Sequence, residues 1–146
     1  MLTQIINGKI FTPNGWLEGG SIILSDSKIL EIANSDLPRV GAAIVDVKGD
    51  YILPGFVAMN IHGGGGKAFK EGTREAFDIA TDAHLKHGAT TIFPTIYTAK
   101  TEKIYNSAKV CEEIMKEGGS PVKGIHVAGP YFNPNMVKSF PGAKDP

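Results

Sequence analysis

The second part of the chain alternates strand-like and helix-like segments, and this alternation constrains the fold more than any other feature. Apolar runs at Phe56–Ile61, Thr90–Tyr97 and Lys123–Ala128 predict three strands. Amphipathic stretches at Thr73–His87 and Thr101–Lys116 predict two helices between them. Strands joined through helices form parallel sheets with right-handed crossovers. We therefore expect a βαβαβ unit of the α/β class.

Two details of these strands carry further expectations. The near-continuous apolar character of Phe56–Ile61 predicts a strand that is buried on both faces, as in parallel sheets. Pro94 falls within the second strand pattern and is expected to mark its end or a sheet edge, because proline lacks the N–H of the ladder.

The first fifty residues contain short strand patterns separated by turns, with no helical pattern. Asn7-Gly8 lies between two short apolar runs and is a strong hairpin signal, because a type I′ turn needs positive φ at both central residues. A second hairpin is predicted around Ser25–Lys28, and a further strand at Ala43–Val47. These patterns predict a small antiparallel unit.

Composition excludes several classes of protein. The 146 residues hold fifteen Lys and Arg against fifteen Asp and Glu, so no basic excess favours nucleic acid or a membrane surface as a partner. The single cysteine, Cys111, excludes a disulfide framework and a multi-cysteine zinc site. The first residues lack the pattern of a secretory signal, which predicts a cytoplasmic location. The length falls below the roughly 250 residues of an eightfold barrel.

Ligands of parallel α/β folds bind beyond the carboxyl ends of the strands. Four of the 18 glycines follow His62 at such a place. Their N–H groups could hold an anion, or the run could be a simple turn. His62 is a candidate metal ligand, but Asn60, on the same face two residues earlier, is a poor zinc ligand. A lone histidine is more often a packing or hydrogen-bonding residue.

The other histidines and the cysteine are not assigned to a functional site. His84 and His87 have the spacing of a helical metal pair, but cationic histidine is also favourable in a solvated last turn. His126 lies within a strand pattern and is expected to be hydrogen-bonded in the interior. Cys111 lies on the apolar stripe of the second helix, where it is expected to be a buried small hydrophobe. No residue is assigned a catalytic role.

Several segments, in chain order, together match one family: Tyr51–Val57, His62–Gly66, His84–Thr91 with Pro94-Thr95, Gly124–Pro134 and Gly142–Pro146. They resemble the N-acetylglucosamine-6-phosphate deacetylase family of the amidohydrolase superfamily. The resemblance implies an incomplete (β/α)8-type barrel of about three βα units in residues 53–146. It also implies that residues 1–52 form part of a small β-sandwich that precedes the barrel.

The same resemblance implies a reaction and its partners. The family removes acetate from an amino-sugar phosphate, with a divalent metal such as zinc and an aspartate activating water. An amino-sugar phosphate is therefore the expected ligand, and neither nucleic acid nor a membrane is expected as a partner. An open three-stranded sheet exposes two edges and an apolar face, so we also expect self-association, most simply as a homo-oligomer.

The chain departs from the family where the metal is held. The superfamily pattern Asp-x-His-x-His falls on Ala58, Asn60 and His62. The metal-binding Glu of the family's His-x-Glu-Gly-Pro motif falls on Ala128, whose side chain offers no oxygen. His62 is thus the one metal position that the resemblance leaves, and we expect less than one tightly bound zinc per chain.

The family's substrate contacts carry over to Ala143 and Lys144, where Lys144 replaces a histidine of the family. The resemblance places the remaining ligands and the catalytic aspartate on later barrel strands. Two hypotheses follow. The chain is the amino-terminal portion of a deacetylase-like protein, inactive alone and completed by strands from elsewhere if at all, or it is a non-catalytic sugar-phosphate-binding or assembly module.

Overall fold

A computed structural model describes residues 1–97 and 99–129 and divides the chain into two compact units, Met1–Pro54 and Gly55–Pro146. The first unit is built from strands alone, and the second contains both helices and strands. The mixed α/β class expected from the sequence is confirmed. Neither helix in the described part of the chain is long and apolar enough to cross a membrane.

The first unit consists of short strands in two sheets. The strands are β1 (Leu2–Ile6), β2 (Lys9–Thr12), β3 (Gly15–Leu17), β4 (Ser21–Ser25), β5 (Lys28–Ala33), β6 (Ala43–Asp46) and β7 (Tyr51–Ile52). One sheet has the order β5-β4-β1-β6, and the other has the order β3-β2-β7. Because β1 pairs in parallel with β6, and β2 with β7, the expectation of a purely antiparallel unit is wrong.

The turn at Asn7-Gly8 connects the two sheets instead of closing a hairpin. Asn7 has a φ of +57°, as a tight turn requires, but β1 and β2 do not pair with each other. The carboxylate of Asp46 holds this corner, accepting hydrogen bonds from Asn7 Nδ2 at 2.9 Å and from the Lys48 backbone N–H at 2.8 Å. The predicted first hairpin is therefore wrong, whereas the second is confirmed by the pairing of Ser25 with Lys28.

A buried glutamine ties the first unit together. Gln4 in β1 is 1% exposed, and its amide nitrogen donates to Ser21 Oγ and to the Leu37 carbonyl, both at 3.0 Å. The amide oxygen accepts a hydrogen bond from the Arg39 backbone N–H at 2.7 Å. Since both ends of the amide are satisfied, its burial costs little and fixes the loop around Leu37 against β1.

The second unit has a central strand between two parallel neighbours. Its elements are β8 (Phe56–Ile61), β9 (Gly63–Gly64), β10 (Lys67–Ala68), a 3₁₀ turn (Phe69–Glu71), α1 (Arg74–Leu85), β11 (Ala89–Tyr97), α2 (Thr101–Glu117) and β12 (His126–Ala128). The order β12-β11-β8 and the parallel pairing confirm the predicted βαβαβ unit. The described residues form an open sheet and not a closed barrel.

The helices pack on one face of this sheet. Thr73 Oγ1 caps α1 by accepting a hydrogen bond from the Ala76 backbone N–H at 3.2 Å. The shared core consists of buried apolar side chains: Phe69, Phe77, Ala80, Ile96, Cys111, Ile114 and Val122. Burial raises the pKa of the Cys111 thiol, so this cysteine packs as a small hydrophobe, as expected.

Strand β8 is more exposed than its sequence predicts. Phe56, Val57 and Met59 are 55%, 62% and 63% exposed, because β8 forms an edge of the sheet in the described structure. The expectation of a strand buried on both faces is wrong for this part of the chain. Pro94 lies inside the central strand rather than at its end. The register between β11 and β8 shifts next to Pro94, so the proline, which has no N–H, is not required to donate a hydrogen bond there.

We predict that Asp46 stabilises the first unit in a pH-dependent manner. Hydrogen bonds from the Lys48 backbone and the Asn7 side chain lower the pKa of Asp46, so the folded carboxyl group takes up a proton less readily than the unfolded one. Its contribution is present at neutral pH and is lost as the pH falls through the folded pKa. Asp46→Asn should therefore lower the urea midpoint at neutral pH, by an amount that shrinks on acidification.

The matched control is Asp50→Asn in the same unit, because the Asp50 carboxylate accepts none of the hydrogen bonds at this corner. A difference between wild type and Asp46→Asn that stays constant down to about pH 3 would contradict the role of the charged carboxylate.

Candidate strand-end site

His62 directly follows β8 at its carboxyl end. Its exposed imidazole packs edge-on against the ring of Tyr97, with the ring centroids 4.4 Å apart and an interplanar angle of 71°. Tyr97 is the last residue of β11. The carboxyl ends of two parallel strands therefore bring these side chains together, at the edge where sites of parallel sheets form.

A lysine completes this group. Lys70 Nζ lies 4.5 Å from the centroid of the Tyr97 ring and donates a hydrogen bond to Tyr97 Oη at 3.1 Å. The 3₁₀ turn that carries Lys70 is anchored by Phe69, which is fully buried and whose N–H donates to the His62 carbonyl at 3.0 Å. We call His62, Lys70 and Tyr97 the strand-end cluster.

The glycine run after His62 forms a tight hairpin. Gly63 and Gly64 in β9 pair with Ala68 and Lys67 in β10. A Cβ on Gly63 would lie 2.1 Å from the Lys67 carbonyl oxygen, and one on Gly64 would lie 3.1 Å from the Ala80 carbonyl oxygen. The glycines thus let the hairpin close and pack against α1. Of the two interpretations open at the sequence level, this geometry favours the turn.

His84 holds the same hairpin in place. Its Nε2 lies 3.0 Å from the Gly63 carbonyl oxygen, and because a carbonyl only accepts, the ring donates this hydrogen bond. The sequence predicts a solvated last turn for His84 and His87, which fits the exposed His87, whereas His84 is partly buried and holds the hairpin. His126 Nδ1 lies 3.1 Å from Thr95 Oγ1, so its expected hydrogen bond is present, but the side chain is exposed in the described structure and not interior.

The strand-end cluster does not fit a metal ion. Within residues 1–97 and 99–129, no group of three or more His, Cys, Asp or Glu side chains could hold one. Ala128 pairs with Tyr97 in the sheet, so the alanine lies beside the cluster where the family resemblance places a glutamate. A lysine ammonium group, and not a carboxylate, lies against Tyr97. The role of His62 as a metal ligand stays a prediction that these neighbours do not support.

The sequence patterns did not identify two members of the cluster, Tyr97 and Lys70. Tyr97 ends a predicted strand, which is the signal that could have identified it. Lys70 gave no comparable signal, because it lies in a turn and meets Tyr97 across 27 residues of chain. The predicted substrate contacts at Ala143 and Lys144 lie outside the described residues and stay predictions.

Comparison with known proteins identifies the relatives of this chain. It is 30% identical over 143 residues to N-acetylglucosamine-6-phosphate deacetylase from Homo sapiens, covering 93% of this chain and 33% of that protein. The deacetylase from Haemophilus influenzae is 28% identical over 134 residues, covering 91% of this chain and 35% of that protein. The chain is a homologue of these deacetylases. No protein-family model matches it.

Solved structures support the same relationship. A crystal structure of N-acetylglucosamine-6-phosphate deacetylase from Pasteurella multocida matches with a TM-score of 0.86 at 25% identity, covering 93% of this chain and 36% of that structure. The deacetylase from Mycobacterium smegmatis matches with a TM-score of 0.74 at 24% identity, which shows the common fold. This deacetylase homologue thus spans about a third of the length of the curated relatives it matches. The family resemblance expected from the sequence is confirmed.

We predict that Gly63→Ala destabilises the second unit. The added methyl group would meet the Lys67 carbonyl oxygen at 2.1 Å, and backbone cannot yield as a flexible side chain can. We expect a loss of roughly 1–3 kcal/mol, as for overpacking of a tight site, measured by urea denaturation.

The comparison variant is Gly66→Asn, where a Cβ would meet open space and only the positive φ opposes the side chain, at a smaller cost for asparagine than for most residues. Gly63→Ala should cost more than this variant. Equal stability of Gly63→Ala and wild type would show that the hairpin is not the close contact described above.

Proposed function

We propose that this chain is the amino-terminal portion of an N-acetylglucosamine-6-phosphate deacetylase-type amidohydrolase. In this proposal, residues 53–146 supply about three βα units of a (β/α)8-type barrel, and residues 1–52 supply part of a β-sandwich. The similarity to deacetylases over 93% of the chain and the parallel order of β8, β11 and β12 support this assignment. An amino-sugar phosphate is the substrate class of the complete barrel in this proposal, and a divalent metal is the cofactor that the family resemblance implies for it, although the described residues do not fit one.

We further propose that residues 1–146 do not hydrolyse the amide by themselves. The observation that carries this proposal is the composition of the strand-end cluster, in which a lysine and a tyrosine lie beside His62. Asn60 lacks the imidazole of the superfamily pattern, and Ala128 lacks the carboxylate of the family's motif. Metal-assisted hydrolysis needs donors that hold the ion and a group that takes a proton from water. The described residues offer no such set.

We expect no release of acetate when the purified chain is incubated with N-acetylglucosamine 6-phosphate and zinc. Metal analysis after desalting should find less than one zinc per chain, because His62 belongs to no group of three or more potential ligands among the described residues. Turnover on the order of 1 s⁻¹, at the low end of enzymes in general, would overturn the proposal.

A gain-of-function variant sharpens this test. The double substitution Asn60→His and Ala128→Glu restores the ligand types that the resemblance gives for these two positions and should raise the zinc retained toward one per chain. An unchanged zinc content would contradict the assignment of these two positions to the metal site of the family.

A second candidate function, as an assembly module, is favoured by the edge strand β8. Its side chains Phe56, Val57 and Met59 are more than half exposed, and the edge carries backbone groups that can pair with another chain. Exposed edges of this kind promote association between sheets. In this proposal the chain forms homo-oligomers, or pairs with strands that complete its sheet.

We expect light scattering to show concentration-dependent association of the chain, and Met59→Lys to shift it toward the monomer, because a charge on the edge opposes pairing. Val40→Lys is the matched control, since Val40 is 98% exposed and lies in the first unit. A wild-type chain that stays monomeric over the whole concentration range would exclude the assembly function.

A further inference from the structure

We propose that the strand-end cluster binds a phosphate group in the place where the relatives' family is expected to hold a metal ion. This inference goes beyond the proposed deacetylase ancestry, since it rests on side chains of this chain alone. Lys70 provides a positive charge, and Tyr97 and His62 provide hydrogen-bond donors beside it. A phosphate group is an anion whose oxygens accept several such hydrogen bonds.

The hydrogen bonding of Tyr97 leaves a donor available. Lys70 Nζ donates to Tyr97 Oη, so the hydroxyl oxygen is the acceptor of this pair and its own O–H remains able to donate. The ammonium group has two further N–H bonds, and an anion can bind both groups at once. Lysine and tyrosine hydroxyl thus present donors side by side.

The placement of the charges also favours an anion at the cluster. The carboxylates of Glu71, the last residue of this turn, and of Glu75 in α1 lie 3.8 Å and 3.5 Å from Lys67 Nζ. Among the described residues, no carboxylate lies within 4.0 Å of Lys70 Nζ. Ala128, which pairs with Tyr97, adds no charge in the position where the family resemblance places a glutamate. The three side chains of the cluster therefore carry the single positive charge of Lys70, while Lys67, Glu71 and Glu75 beside it sum to one negative charge. The ammonium group at the cluster itself opposes a divalent cation and favours an oxyanion.

The backbone that carries these groups is fixed before any ligand arrives. Phe69 is fully buried next to Lys70, and its carbonyl oxygen accepts a hydrogen bond from Ser107 Oγ at 3.0 Å, itself fully buried. Tyr97 belongs to the central strand of the sheet. A cluster on such rigid elements loses little entropy when it binds, so even two or three hydrogen bonds give measurable affinity.

The test is a calorimetric titration of the full chain with inorganic phosphate at low ionic strength. We expect saturable binding at one site with a Kd on the order of 1 mM. Lys70→Met keeps the aliphatic stem and removes the charge, and it should weaken binding roughly tenfold, as expected for the loss of a charge-assisted hydrogen bond. Lys70→Arg should retain the affinity. Lys109→Met, an exposed lysine of α2, should bind phosphate as wild type does.

Tyr97→Phe provides a second variant that keeps the ring and the packing of His62, and removes only the hydroxyl. It should weaken phosphate binding several-fold while the thermal midpoint without phosphate stays close to that of wild type. If Lys70→Met does not fold, Tyr97→Phe still tests whether the cluster binds phosphate. Titration with glucose 6-phosphate distinguishes the two sources of the group: tighter binding identifies a sugar phosphate, and equal binding identifies free phosphate.

Two results would overturn the proposal. If phosphate does not bind, or if it binds Lys70→Met and wild type with equal affinity, the cluster is not an anion site. Stoichiometric zinc binding that displaces phosphate and tightens in Lys70→Met identifies the cluster as a cation site. Neither result depends on the deacetylase assay, which measures acetate release, so failure of this inference and failure of the proposed function are separate outcomes.

Discussion

Side-chain alternation along β11 determines both the core and the site of the second unit. Ile96 is fully buried in the core shared with α1 and α2, whereas its neighbours Thr95 and Tyr97 lie on the opposite face of the sheet because successive strand residues alternate. On that face Thr95 contacts His126, and Tyr97 contacts His62 and Lys70. A register slip of one residue would exchange the two sets, so burial of Ile96 also fixes the cluster.

The elements of the second unit could be predicted because their signals are local. Thr73 is a capping residue directly before an amphipathic stretch, and Gly88, with a positive φ, marks the turn that follows α1. The pairing in the first unit could not be read in this way. The turn at Asn7 has the backbone that the sequence predicts, but the partners of β1 and β2 are strands farther along the chain. Local turn chemistry does not report such partners.

The candidate site shows the same contrast between local signals and contacts with distant parts of the chain. His62 could be located because it follows an apolar strand. The run of glycines after it is also visible in the sequence, but the role of these glycines depends on atoms far away in the sequence. The oxygen that a Cβ on Gly63 would meet belongs to Lys67, and the side chain that holds the Gly63 carbonyl is His84. Lys70 depends on the burial of Phe69, which the sequence pattern around the turn does not reveal. Chemistry on strand ends is predictable, whereas chemistry on turns depends on packing.

The sign of the charge decides what a strand-end site of this geometry can hold. A divalent ion needs carboxylate or imidazole donors to offset its loss of hydration, and Asn60 and Ala128 provide neither. Lys70 adds a positive charge that would raise the energy of a nearby cation. The same ammonium group lowers the energy of an oxyanion. A parallel α/β scaffold can therefore keep its strand order and its hairpin while a few substitutions reverse the charge that its site accepts, so fold similarity to deacetylases does not by itself carry their chemistry.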